Sequence, residues 1–192
     1  MVSDSVRDAI VREFITQFNV DGYKVTLSSV SSAIHISKKT IYKYFDSKDE
    51  IYLFILKRAS DEILSGQKEV YGNESLSTKE KLMAILTLKT TAEEHLDMLK
   101  VFDLKDHEPV IYQAIMDSYE AQWHYFTELV KEGVKDGTLK EDVKPGFMVG
   151  VLESSMEKLY EKGFLEKLDM SFTEAIAELA HIVLEGVYKQ NA

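Results

Sequence analysis

The segment from Ser37 to Lys48, SKKTIYKYFDSK, gathers four lysines, several hydroxyls and a single acid, Asp46. Wound as a helix, it puts Lys39 and Lys43 four apart on one side, flanked by Lys38 and Tyr42. Ile41 and Phe45, also four apart, then point the other way. An ammonium group can pair with a phosphate or with the acceptor atoms of guanine, and the hydroxyls of Ser37, Thr40 and Tyr42 can bond to either. Thr26 and Ser28 open a preceding helix, where hydroxyls and unpaired backbone N–H groups can hold a phosphate. Lys48 opens the following helix and is placed to grip the flanking strand. A B-DNA major groove admits one α-helix, so this face has the chemistry of a duplex reader. Lysines on a short exposed helix are commonly no more than solvated. The spacing, the caps and the charge distribution together favour the DNA reading.

The chain has 192 residues and a formal net charge of −10, a total that by itself argues against nucleic acid. Residues 1–50 hold seven Lys/Arg and seven Asp/Glu, whereas residues 51–192 hold sixteen and twenty-six. All of the excess negative charge therefore lies beyond the reading segment, and residues 37–48 carry a local +3. Phosphate contacts depend on potential within a Debye length, about 8–10 Å. The acidic remainder should weaken non-specific DNA binding. No cysteine is present, which excludes disulfides and thiolate chemistry and suits a reducing cytoplasm. The N-terminal MVSDSVRDAIVREF mixes acids with its apolar residues and does not read as a signal peptide. No apolar run is long enough to cross a membrane, so no membrane partner is expected.

The elements that must position this face are all helical. Val6, Ala9, Ile10, Phe14 and Phe18 form the stripe of a first helix ending near Asp21-Gly22, where glycine can take a left-handed backbone. Thr26 caps a second helix to about Ile34, and Ser37 caps a third from Lys38 to Phe45. Ile36, Ile41 and Phe45 should pack against Phe14, Val30 and Ile34. Ser47 with Glu50 makes a capping box for a fourth helix running to about Gly66, followed by a linker over Ser65–Ser77. Ser77 with Glu80 opens the next helix, and another stretch spans about Thr91 to Leu104. Pro109 begins a long helix ending at Gly133 or soon after, and Gly133–Pro145 reads as a turn. A helix from Pro145 to about Tyr160 is stopped by Gly163, and Ser171 with Glu174 caps a last one through Tyr188. No strand-like alternation, internal repeat or low-complexity tract is found.

In register and without a gap, Thr26, Val30, Ile36, Ser37, Thr40, Ile41, Tyr42, Tyr44, Phe45, Ser47, Lys48, Glu50 and Ile51 fall on or beside the pattern T-x-x-x-I-A-x-x-A-G-V-S-x-G-T-L-Y-x-Y-F-x-S-K-E-x-L. This resembles the N-terminal signature of the TetR family of transcriptional regulators, over about residues 5–55. Ser31 departs from the pattern's alanine, Ile34-His35 from Ala-Gly, and Lys39 from glycine. His35 falls where the turn tends to need positive φ, which histidine tolerates better than most side chains. Lys39 adds a cation to the reading face.

The resemblance implies an all-α protein: a head of residues 1–50 carrying the helix-turn-helix, then a larger helical domain, residues 51–192, for effector binding and dimerisation. Large adaptable side chains in that half, Met98, Phe102, Tyr112, Met116, Tyr119, Trp123 and Phe126, suit a pocket for flat or greasy ligands, although ordinary core packing is the commoner use of such residues. His95, Gln122 or His124 could orient a ligand there. Wide apolar stripes on the last two helices, among them Val151, Ser155 and Leu159 on one and Ile176, Leu179 and Val183 on the other, suit a two-fold interface. Gly146 and Gly150, four apart, would let helices come close. The expected partners are a double-stranded DNA operator, a second copy of the chain and a small-molecule effector.

Two other classes fit less well. HExxH, GxSxG, P-loop and dinucleotide-binding patterns are absent, so no catalytic residue, metal or cofactor is expected. A single Glu-x-x-His, Glu178 to His181, falls short of the paired motifs a di-iron helical bundle requires. A helical adaptor that binds only protein would leave the cations of residues 38–43 without a purpose.

Overall fold

The computed structural model describes residues 2–88, 96–159, 161 and 163–188. Among them no strand forms, and the sole sheet-like feature is an isolated antiparallel bridge between Leu139 and Tyr188. The described helices are α1 (Val2–Asp21), α2 (Leu27–Ala33), α3 (Lys38–Ile41), α4 (Lys48–Gly72), α5 (Thr78–Leu86) and α6 (Met98–His107). They continue with α7 (Pro109–Gln122), α8 (His124–Asp136), α9 (Pro145–Leu159), α10 (Phe164–Leu168) and α11 (Phe172–Val187). The chain divides into two compact units, one of residues 1–61 and 90–118 and one of residues 62–89 and 119–192.

The first unit is built on α1. Ile10, Phe14 and Phe18 recur at helical spacing and are buried, and Val30, Ile41, Phe45 and Ile51 close over them. Each such side chain contributes roughly 1.5–3 kcal/mol when removed from water. Phe14 meets the Tyr52 ring edge-on at 4.9 Å, and Phe45 meets Phe54 at 5.5 Å. After α1 a single 3-10 turn, Gly22–Lys24, reverses the chain, with Gly22 at φ 59°. A Cβ there would stand 3.4 Å from Lys100 Cδ, so the position is both left-handed and closely approached.

The second unit packs α5, α8, α9 and α11 around Leu82, Ile85, Phe126, Leu129, Val130, Leu139, Met148, Leu152, Leu184 and Tyr188. The Ser77 and Ser171 capping boxes form as their spacing predicts: each hydroxyl accepts the backbone N–H three residues on, and Glu80 and Glu174 return to the cap.

Several boundaries differ from the sequence expectation. The α-helical ladder of α3 stops at Ile41; the chain then tightens, with Lys43 N–H donating to the Thr40 carbonyl and Tyr44 N–H to that of Ile41. The β-branched and aromatic run Thr-Ile-Tyr favours the helix weakly, and the tighter turn still seats Phe45 in the core. At the start of α4, Ser47 Oγ accepts from Glu50 N–H at 3.1 Å, but the Glu50 carboxylate takes the N–H of Asp46 in place of that of Ser47. The expected linker over Ser65–Ser77 is largely helix, since α4 continues through Gly72. Gly66 does not break it; a Cβ at that position would lie 2.9 Å from Leu88 Cδ2, so the residue serves close packing. The long helix after Pro109 is two helices, because Trp123, at φ −79° and ψ −4°, opens the ladder. Gly133 lies inside α8, which ends at Gly137 with φ 83°, so the turn there starts later than expected. The short helix α10 was not foreseen. The expected helix start at Thr91, together with His95 and Tyr160, lies outside the described residues.

Candidate nucleic-acid interface

The helix-turn-helix is assembled by its own hydroxyls. Thr26 Oγ1 accepts the Ser29 N–H at 3.1 Å, and Ser29 Oγ accepts the Thr26 N–H at 3.3 Å, so serine takes the place of the usual glutamate in a capping box. Ser37 Oγ accepts the Thr40 N–H at 3.1 Å and lies 2.9 Å from Thr40 Oγ1. A cap of this kind is worth about 1 kcal/mol. Between the two helices His35 adopts φ 56°, the left-handed turn that the sequence demands at this position. Its N–H donates to the Ser32 carbonyl at 3.3 Å, and the Ile36 N–H donates to that of Ser31 at 3.0 Å.

This geometry turns the cations outward. Ile41 is buried under α3, while Lys38, Lys39 and Lys43 are exposed and Tyr42 is 52% exposed. No carboxylate among the described residues pairs with any of these three lysines. Thr26 is exposed, and Ser28 is partly exposed in the first turn of α2. The hydroxyls of Thr26 and Ser37 accept cap N–H groups and that of Thr40 lies beside Ser37 Oγ; to bond a phosphate, each would have to turn its O–H outward to donate. Lys48 departs from the pattern. Its ammonium turns back toward its own unit, 2.6 Å from Glu108 Oε1 and 3.0 Å from the Tyr23 carbonyl oxygen, where the sequence reading had aimed it at a flanking strand.

The other nominated residues are spread through the chain. In the first unit, Phe102 and Tyr112 meet edge-on at 5.9 Å, and Met116 is half-buried. In the second, Phe126 is fully buried in the core, with Trp123 edge-on at 5.6 Å. The side chains of Met98 and Tyr119 lie outside the described residues. A depression of about 500 Å³ runs along α7, lined by Pro109, Val110, Gln113, Ala114 and Asp117, none of which the sequence reading placed in a pocket.

On α9 and α11 the apolar stripes divide. Leu159 is buried, and Leu179 and Val183 pack against the core of the second unit, so these three are occupied within the chain. Ile176 is half-buried, and Ser155 donates its hydroxyl back to the Val151 carbonyl at 2.7 Å. Val151 is exposed, together with Phe147 at 76% and Ile182 at 62%, two side chains the sequence reading placed on the stripes without marking them as contacts. Around Gly146 and Gly150 an added Cβ would meet nothing within 4 Å.

Residues 10–54 match the family model described as bacterial regulatory proteins, tetR family. That segment is similar to the N-terminal DNA-binding head of TetR-family regulators. A relative over nearly the whole length of the chain is the HTH-type transcriptional regulator YvaF of Bacillus subtilis, 21% identical over 178 residues, 93% of each chain. Among solved structures the fold is similar to that of the fatty acid degradation regulator FadR of Bacillus halodurans, with TM-score 0.74, 16% identity, and 94% of this chain and 95% of that one covered. It is also similar to the TetR-family regulator PfmR of Thermus thermophilus, with TM-score 0.70, 17% identity and 94% and 99% coverage. A regulator of Saccharomonospora viridis solved in complex with choline superposes with TM-score 0.73, 18% identity and 97% and 100% coverage. No cluster of potential metal ligands occurs among the described residues. No described helix is long and apolar enough to cross a membrane.

Proposed function

We propose that this protein is a TetR-family, ligand-responsive repressor that binds a near-palindromic operator as a homodimer in the cytoplasm. The observation that carries the reading is the unpaired cationic face of Lys38, Lys39 and Lys43 around exposed Tyr42, set on a capped helix-turn-helix. In this reading residues 1–50 are the head and residues 51–192 the effector and dimerisation domain. Thr26, Ser28, Ser37 and Thr40 hold phosphates beside the lysines. Two heads related by a two-fold axis would engage half-sites about 34–36 Å apart, or farther if the operator is wider. The exposed Phe147, Val151 and Ile182, with the open glycines of α9, support the pairing of two copies.

A small molecule that shifts the spacing of the heads would prevent their simultaneous engagement. A coupling of about 1–3 kcal/mol changes occupancy roughly 5–150-fold. The large apolar side chains of Phe102, Tyr112 and Met116 support an apolar or flat effector, and the choline complex of one structural neighbour supports a small-molecule effector in this fold. Selecting fragments of the source genome on the purified protein tests the reading. Recovery of a common site with two-fold symmetry is the expected result, and uniform recovery of all sequences would reject it.

A further inference from the structure

The corner between α6 and α7 touches the residues that flank the helix-turn-helix, Tyr23 before it and Lys48 after it, through two consecutive residues of the first unit. His107 stacks on the Tyr23 ring at 3.7 Å, with 17° between the planes. Glu108 brings Oε1 to 2.6 Å from Lys48 Nζ, with 25% and 28% of the lysine and glutamate side chains exposed. The same ammonium donates to the Tyr23 carbonyl oxygen at 3.0 Å and stands 5.7 Å from the centroid of the Tyr52 ring. Glu108 is carried rigidly. Its N–H donates to the Leu104 carbonyl at 2.8 Å, its carbonyl accepts from Tyr112 N–H at 3.0 Å, and Pro109 follows immediately.

Lys48 lies at the first position of α4, three residues after Phe45 closes the reading turn, and so borders the cationic face. Among the described residues the other cations of the segment have no carboxylate partner, whereas this one is neutralised by Glu108. To an ammonium, a carboxylate and a phosphate diester offer the same kind of acceptor, an anionic oxygen. We propose that Glu108 competes with the DNA backbone for Lys48, so that the α6–α7 corner withholds one of the head's phosphate-gripping cations until DNA displaces it. On DNA a phosphate oxygen takes the place of the Glu108 carboxylate, the bond to the Tyr23 carbonyl persists, and Glu108 turns to solvent. A ligand that drew the corner away from the head would release Lys48, and one that pressed it inward would hold Lys48 back. The inference rests on the DNA-reading head proposed above and adds its regulation.

Fluorescence anisotropy of the full-length protein on a labelled duplex carrying the selected site, between about 50 and 200 mM salt, tests the competition. Glu108→Gln and Glu108→Ala should each tighten binding roughly two- to fivefold, the range expected for a partly exposed ion pair. Each should leave the dependence of log affinity on log salt within about 0.3 of the parent's, because Lys48 meets one phosphate in every complex, whereas Lys48→Met should flatten it by about 0.9. In a Lys48→Met background the tightening should vanish. Unchanged or weaker binding by Glu108→Gln, or tightening that persists without Lys48, overturns the proposal. Lys38→Ala/Lys43→Ala measured alongside separates the two levels: if that variant binds as well as the parent, the reading head itself is rejected. If it binds weakly while the Glu108 variants match the parent, only the competition is rejected.

Discussion

Gly133 lies against Leu139 so closely that a Cβ on the glycine would stand 2.8 Å from Leu139 Cγ and 3.3 Å from Thr78 Cγ2. Leu139 is fully buried, and its N–H donates to the Gly133 carbonyl at 2.8 Å, so it cannot retreat without breaking the turn after α8. Gly133→Ala gains up to about 1 kcal/mol of helix propensity but overpacks the core at a cost of about 1–3 kcal/mol. A net fall of several degrees in Tm is expected. Gly66→Ala is the matched contrast, because the atoms it meets are the terminal methyls of Leu88, which can rotate aside. That variant keeps the helix-propensity gain, so it should melt no lower than the parent and up to about 4 °C higher. Equal losses in the two variants would contradict this account of the glycines.

His35 holds φ 56° in the turn between α2 and α3. A left-handed backbone costs an ordinary L-residue roughly 1–2 kcal/mol and glycine almost nothing. His35→Gly should therefore keep or raise the Tm, and His35→Val should lower it, since a β-branched side chain tolerates this region least. Neither change touches the cations, so a melting curve reports it directly.

These two positions also show what the sequence could carry. Strain at His35 was legible through the resemblance, because His35 stands where the resembled pattern has glycine. The caps at Thr26, Ser37, Ser77 and Ser171 were legible from the residues themselves, since each is satisfied within three residues. Gly66 and Gly133 misled because their reason for being glycine lies on another element, at Leu88 and Leu139, and nothing nearby in the chain announces it. Lys48 is the same kind of case within the interface. Its partner Glu108 is sixty positions away, and a lysine beside three outward lysines reads as a fourth. The stripe of α11 was visible, but which of its residues face the core and which remain exposed depended on where α5 and α9 pack.

The outward lysines of α3 should act mainly through phosphates. Lys38→Ala and Lys43→Ala should each reduce the salt slope of DNA binding by about 0.9 and weaken binding to all sequences alike. Tyr42→Phe, which removes only the hydroxyl of a half-exposed ring, should leave the slope within about 0.2 of the parent, because no charge is lost. A slope unchanged in the double lysine variant would show that this face does not meet the duplex.

Phe147 and Ile182, the most exposed large apolar side chains on α9 and α11, mark the face expected to pair two copies. Phe147→Glu with Ile182→Glu places charges where apolar burial is required and should halve the mass seen by sedimentation. Leu179→Ala, which acts on a side chain packed against the core of its own unit, should lower stability and leave the mass unchanged. The opposite pattern would move the interface elsewhere.

Acid should weaken the second unit through glutamates that its caps and ion pairs hold ionised. The Ser77 hydroxyl, then the Ser77 backbone N–H, lower the pKa of Glu80 below its ordinary value of 4.5, and Ser171 does the same for Glu174. Hydrogen bonding and charge from Lys79 lower Glu185, and those from Lys131 lower Glu128. A carboxyl group whose folded pKa lies below its unfolded one stabilises fully above the unfolded value. It loses that contribution as pH falls through the folded value. The Tm should therefore hold steady near neutrality and decline below about pH 4.5, a loss that added salt would change little at the capping boxes. Glu80→Gln with Glu174→Gln tests the cause, because an amide oxygen can still accept the cap N–H but cannot take up the proton. That variant should show a shallower decline of Tm between neutral and acid pH, whereas a decline as steep as the parent's would place the acid sensitivity on other groups.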